Sequence, residues 1–207
     1  FTMLRAQISL IRSELWASSF LILMLGIIGA RLFERVGIFT MIAPLVAAGC
    51  VSAVYGRDND QAYELMLSTP VSKAQVLLSR LVLVFGYNLI LFLTGLLFIN
   101  SMLDSPMTTS LLGEWLAPMA FLSSLALMLS VSIGTSQSVL VTYVLWISSQ
   151  LVFDPAIMPE FSRNFAPLAQ FMNMTGLLYL LSVLLLLLTL AFVRKPLLGL
   201  SKQNMQV

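Results

Sequence analysis

From Trp115 to Phe153 the chain contains no Asp, Glu, Lys or Arg. A helix on the surface of a water-soluble protein needs a polar face, so it cannot run that far without charge. A helix crossing about 30 Å of hydrocarbon needs about 20 mainly apolar residues. The run is too long for one crossing and long enough for two, with a hinge at 134–138 (GTSQS). Two antiparallel spans are therefore expected, at 115–133 and 139–153.

The rest of the chain repeats the pattern at smaller scale. Hydrophobic residues make up 59% of the 207 and charged residues 10%, with a mean hydropathy of +0.96. A soluble domain carries about 25% charge, so this chain could not cover its own surface in water. Apolar stretches at 15–30, 36–55, 81–103 and 176–193 complete a set of six spans. Arg12 and Arg31 flank the short first span, where their long stems can snorkel to the interface. The fold class expected is an all-α polytopic membrane protein, one transmembrane domain over 1–207. Residues 1–14 read as an interfacial amphipathic helix. Leu4, Ile8, Ile11 and Leu15 share one face and Arg5, Ser9 and Arg12 another. Between spans, 101–114 carries Asp104, Pro106 and a Ser/Thr cluster and reads as a loop. Residues 154–174 hold three prolines and three phenylalanines with few charges, which suits short re-entrant or interfacial helices at an ordered outer cap. The chain opens at Phe1 rather than Met, so residues before it are expected. No cleavable-signal pattern precedes the first span.

Basic residues orient the spans, because they favour cytoplasmic loops. With six spans, Arg5, Arg12, Arg57, Lys73, Arg80, Arg194, Lys195 and Lys202 fall on one side and Arg31, Arg35 and Arg163 on the other. Both termini and the 57–80 loop are then expected to be cytoplasmic, in a multi-pass membrane protein. Five spans, with 115–153 as one span plus a re-entrant piece, would leave Arg194 and Lys195 outside.

Several chemistries are excluded. There is no His and one cysteine, Cys50, so no clustered metal site, Cys-His dyad or disulfide framework can be built within the chain. No GxxxxGK[ST] loop is present for nucleotide phosphates. No carboxylate sits at mid-span depth, where ion- or proton-coupled carriers and intramembrane proteases place theirs. A net charge of +2 offers no footprint for nucleic acid. The chain is not expected to be an enzyme or to hold a cofactor or metal. What the spans do contain is mild: Ser52, Asn88, Thr94, Ser123, Ser124, Ser130, Thr142, Ser148, Ser149, Gln150 and Ser182. Most of these suit helix–helix hydrogen bonds of about 0.6–2 kcal/mol each. Ser148, Ser149 and Gln150 form the densest group and rank first for lining a path.

The 57–80 loop concentrates what the spans lack. It holds Arg57, Asp58, Asp60, Glu64, Lys73 and Arg80, out of 11 basic and nine acidic residues in the chain. Asp58 or Asn59 can cap a short helix from about Asp60 to Leu67 whose first turn is acidic. Pro70 biases Thr69 out of the helical region and ends it, and Ser72 can cap a second helix entering the third span. Tyr63 to Lys73 (YELMLSTPVSK), followed by an apolar VLLSRLVLV run, resembles the loop between the second and third spans of ABC-2 type transporter permeases. The order of six spans, the interfacial first helix and the broken segment before the last span also resemble that family. Where the family often has Gly-Thr before the acidic residue, this chain has Gln61 and Ala62.

The resemblance implies a coupling helix at Glu64–Leu67 seated on a separate ABC-type ATPase subunit, which would hold ATP and Mg. Asp60, Tyr63, Glu64, Leu65, Leu67, Thr69, Pro70, Val71 and Ser72 would form the contact. A second permease copy, identical or related, would complete the assembly in membrane lipid. The second and fifth spans, with Ser52, Thr142, Ser148, Ser149 and Gln150, would line an export path. The competing reading is a membrane scaffold or assembly factor that docks a cytoplasmic partner through the same loop.

Overall fold

The structure, a computed structural model, describes residues 13–33, 36–54, 73–103, 109–152, 167, 170–172 and 174–194. Among them every long element is an α-helix: α1 (Ser13–Leu32), α2 (Val36–Val54), α3 (Lys73–Leu103), α4 (Thr109–Ile133), α5 (Thr135–Val152) and α6 (Thr175–Arg194). The expected interfacial helix lies outside the described residues up to position 12. The same holds for the 57–80 loop up to position 72, and for the outer segment 154–174 apart from residues 167, 170–172 and 174.

The helices outrun the apolar stretches that announced them. α1 starts at Ser13 and ends at Leu32 rather than spanning 15–30, and α6 adds Thr175 and Arg194 to 176–193. α3 is continuous from Lys73, so the helix entering the third span and the span itself are one 31-residue element. The expected loop at 101–114 is corrected at both ends, since α3 runs to Leu103 and α4 begins at Thr109. Ser101 stays helical because its hydroxyl donates to the Phe98 carbonyl of its own helix at 2.8 Å. The expected hinge at 134–138 narrows to Gly134, and helix resumes at Thr135. Gly134 has φ +100°, a backbone region that only glycine enters freely, which is why the reversal needs no further residue.

Among the described residues four helices are long and apolar enough to cross a membrane: α1, α3, α4 and α6. α2 contains a shorter apolar segment, Gly37–Ala53. The packing is centred on α2 and α4, which face each other over most of their lengths. α1 and α3 lie against α2 and each other, α6 lies against α4, and α5 packs on both central helices. Of the α4 span 56% is buried, against 17% of α6, which marks α4 as central and α6 as peripheral. The outward faces are apolar: Leu21 and Leu25 on α1, Ile90 and Leu97 on α3, Leu140 and Val144 on α5, Leu180 and Leu187 on α6. The hydroxyls of Ser19, Ser52, Ser123, Ser130, Thr142 and Thr189 are buried instead. That inversion of the water-soluble pattern is compatible with a membrane-embedded protein.

Without water to drive apolar surfaces together, helices in lipid associate through close packing. Phe39 of α2 supplies it where α1, α2 and α3 meet. Its ring is wholly buried, stacks on Phe92 with centroids 5.3 Å apart, and lies over Gly26 and Gly95. A β-carbon on Gly95 would stand 2.6 Å from Phe39 Cζ, and one on Gly26 3.3 Å from Cδ2. Gly86, on the same helix as Gly95, has open space where its β-carbon would be. The same substitution should therefore have opposite signs nine residues apart on one helix. Gly86→Ala is expected to stabilise by up to about 1 kcal/mol through helix propensity. Gly95→Ala gains the same term and loses about 1–3 kcal/mol to overpacking, for a net destabilisation. Thermal melts of the two variants in one detergent check the pair, and equal shifts would mean that Phe39 does not sit on Gly95.

Candidate functional site

α5 turns a mostly polar stripe inward. Ser138, Thr142, Trp146 and Ser149 are all buried, at the i, i+4, i+8, i+11 spacing of one helix face. Leu140, Val141, Val144 and Ile147 face outward. The stripe meets α2 and α4, and the three helices share a seam of hydroxyls and backbone carbonyls.

At the Gly134 end the seam is knotted. Ser52 Oγ, on the last turn of α2, donates to the Thr135 carbonyl at 3.3 Å. Ser130 Oγ of α4 donates to the Ser52 carbonyl at 3.1 Å. Ser138 Oγ of α5 reaches the Ala126 carbonyl of α4 at 2.6 Å, and its N–H closes on the Gly134 carbonyl at 3.1 Å. The end of α2 is thereby tied to both arms of the α4–α5 hairpin. The last carbonyls of a helix have no intrahelical donor, so Ser130 satisfies a Ser52 carbonyl that would otherwise be bare at the end of α2.

Further along, Gly49 of α2 leaves room for Tyr143, whose hydroxyl would stand 2.6 Å from a β-carbon there. Trp146 Nε1–H then donates to the Met41 carbonyl at 2.8 Å. Pro44 lies in the same turn of α2 and contributes no N–H to its hydrogen-bond ladder. Pro118 does the same within α4, so both central helices carry an interior proline. A second polar contact joins α4 to α6: Ser124 Oγ and Ser182 Oγ are 2.9 Å apart and both lie within reach of the Ala120 carbonyl, so one hydroxyl donates to that carbonyl and the other to its partner hydroxyl.

The path residues expected from the sequence distribute along this seam. Ser52, Thr142 and Ser149 are completely buried. Thr142 and Ser149 turn their hydroxyls back onto the Ser138 and Trp146 carbonyls of their own helix. Ser148 and Gln150 are half-buried at the opposite end of α5 from Ser52. Thirteen residues of helix separate Thr135 from Ser148, about 20 Å at 1.5 Å per residue. The candidates therefore do not form one cluster. The nine coupling candidates, Asp60, Tyr63, Glu64, Leu65, Leu67, Thr69, Pro70, Val71 and Ser72, all lie outside the described residues.

Sequence reading missed Ser138 and Trp146, which carry the seam's interhelical bonds on α5. Their i+8 spacing, with Thr142 between them, was the available signal. Chemically the seam offers hydroxyls, an indole N–H and carbonyls. It can hold helices together or face a neutral solute. Among the described residues no three of His, Cys, Asp and Glu gather as metal ligands would. Comparison with protein-family models, with curated proteins and with solved structures gave no match.

Proposed function

We propose that the chain is the permease subunit of an ATP-driven ABC exporter. In this reading it crosses the cytoplasmic membrane six times with both termini inside, α2 and α5 completing the set begun by α1, α3, α4 and α6. It pairs with a second permease copy and couples to a separate ATPase subunit that binds ATP and Mg. The observation that carries the reading is the Tyr63–Lys73 motif, standing between the second and third apolar helices of an all-helical bundle. Supporting it, α2 and α5 are joined along the hydroxyl seam, and α2 is the helix that precedes the motif in the chain. Motion of the loop would reach the α4–α5 hairpin through Ser52.

The scaffold reading is favoured by one feature. Ser52, Thr142 and Ser149 are closed into the packing of a single chain rather than turned toward an opening. The two readings part on ATP. In proteoliposomes holding the chain with its co-purifying ATPase, Glu64→Arg and Pro70→Ala are expected to reduce export at least about tenfold, equivalent to about 1.4 kcal/mol of lost coupling. Hydrolysis should persist and the bundle should stay assembled. Export at the normal rate in both variants overturns the coupling role. A co-purifying partner without nucleotide hydrolysis favours the scaffold.

A further inference from the structure

A small cavity of about 10 Å³ lies between α1, α2 and α3, lined in part by Ser19, Cys50, Tyr87 and Asn88. Asn88 is 2% exposed, and its Oδ1 has no hydrogen-bond partner. The amide's orientation follows from its other end, since Nδ2 donates to the Val84 carbonyl at 2.8 Å. Turning the amide over would set two oxygens against each other. The neighbouring hydroxyl protons are also committed. Ser19 Oγ donates to the Leu15 or Trp16 carbonyl at 2.9 and 3.1 Å, and Tyr87 Oη donates to the Trp16 carbonyl at 2.9 Å. The cavity therefore presents oxygen acceptors, with the Cys50 thiol, which faces Asn88 and Ser19, as a weak donor beside the second Asn88 amide N–H. A buried acceptor left bare in a low-dielectric interior is costly.

We infer that this cavity is the site of one resident water molecule that joins α1, α2 and α3. One water needs about 10–15 Å³ and makes about three hydrogen bonds when buried. Here it donates to Asn88 Oδ1 and to Ser19 Oγ and accepts the Cys50 S–H. A cation would satisfy the same oxygens, yet among the described residues no Asp, Glu or other anion lines the cavity to balance it. The site is lined by residues of α1, α2 and α3 and does not depend on the transport reading.

Cys50 is the chain's one cysteine, so the S–H stretching band in the infrared belongs to it alone. With the full chain in lipid nanodiscs transferred to D2O, the band is expected to move to S–D as the water's hydrogens exchange. In Asn88→Leu, which fills the cavity and removes the acceptor, exchange should be on the order of tenfold slower or more. A thiol that stays S–H in the unsubstituted chain overturns the inference, as does equal exchange in both proteins. Should Asn88→Leu fail to fold, an experimental structure fine enough to resolve waters decides. Density between Asn88 Oδ1 and Ser19 Oγ supports the site, and an empty space or a direct Cys50–Asn88 contact overturns it.

Discussion

Phe39→Ala is expected to be the most damaging single change in the bundle. In soluble proteins Phe→Ala in a core costs about 3–5 kcal/mol, part of it apolar transfer and part the cavity left behind. In lipid the transfer part shrinks, because a side chain leaving the core meets hydrocarbon rather than water. The cavity part remains in full. Phe39 fills the space between Gly26 and Gly95 and stacks on Phe92, which meets Trp115 edge to face at 5.6 Å. Removing the ring leaves two glycines facing a void and Phe92 without its stacking partner. A loss of about 3 kcal/mol is expected in reversible denaturation from mixed micelles. A second substitution identifies the cause. Gly95→Ala destabilises the unsubstituted chain, but with Phe39 gone the 2.6 Å clash is gone. Ile27 Cδ1, the far end of a flexible side chain at 3.3 Å, can shift by a few tenths of an ångström, so the helix-propensity gain outweighs what remains. The double variant should therefore be more stable than Phe39→Ala alone, a change of sign that a double-mutant cycle reports directly. Additive losses would show that the ring and the glycine do not meet.

The long charge-free runs made most of this fold legible. An apolar segment bounded by Arg35 and Arg57, or by Arg80 and Asp104, has few choices in lipid other than a helix, and α2 and α3 fill those intervals. Boundaries were harder to read. Ser and Thr near 101–110 have loop-like composition in water. Inside a bilayer-type bundle a hydroxyl can return to its own helix's carbonyl, as Ser101 does, so the helix continues through it. The candidate site was legible only in its parts list. Ser52 and Thr142 were identifiable as polar residues at mid-run positions, but which hydroxyl meets which carbonyl depends on helix rotation. Rotation is set by bulk and smallness, by Phe39 against Gly95 and Tyr143 against Gly49. Those pairs are distant in sequence and carry no mark of each other. Pro44 and Pro118 could have signalled that α2 and α4 are central. A proline inside a spanning helix removes an N–H from its ladder, which in lipid is tolerated where packed neighbours surround the freed carbonyl.

Gly134→Val should have the second-largest effect, and it tests whether the α4–α5 hairpin and the end of α2 behave as one unit. Nothing lies within 4 Å of a β-carbon placed on Gly134, so steric packing cannot be the reason for any loss. The cost is in the backbone. A β-branched residue at φ +100° is strongly disfavoured, worth about 1–3 kcal/mol where the fold enforces it. The chain can avoid that strain only by rotating the backbone at position 134 toward negative φ, and the next residue then moves. That residue is Thr135, whose carbonyl accepts Ser52 Oγ, and Ser138 closes on the Gly134 carbonyl itself. Relief of strain thus exchanges one loss for another, an interhelical bond of about 0.6–2 kcal/mol. Ser52→Ala distinguishes the two routes. If Gly134→Val keeps its geometry and bears the strain, Ser52→Ala adds its full cost in the double variant. If it relaxes, the Ser52–Thr135 bond is already gone and Ser52→Ala adds little. Gly134→Asn, whose side chain tolerates positive φ better than valine's, is expected to lose less by either route. A Gly134→Val protein as stable as the unsubstituted chain would mean that the reversal at this position does not demand glycine. The knot at Ser52 would then owe nothing to the turn beside it.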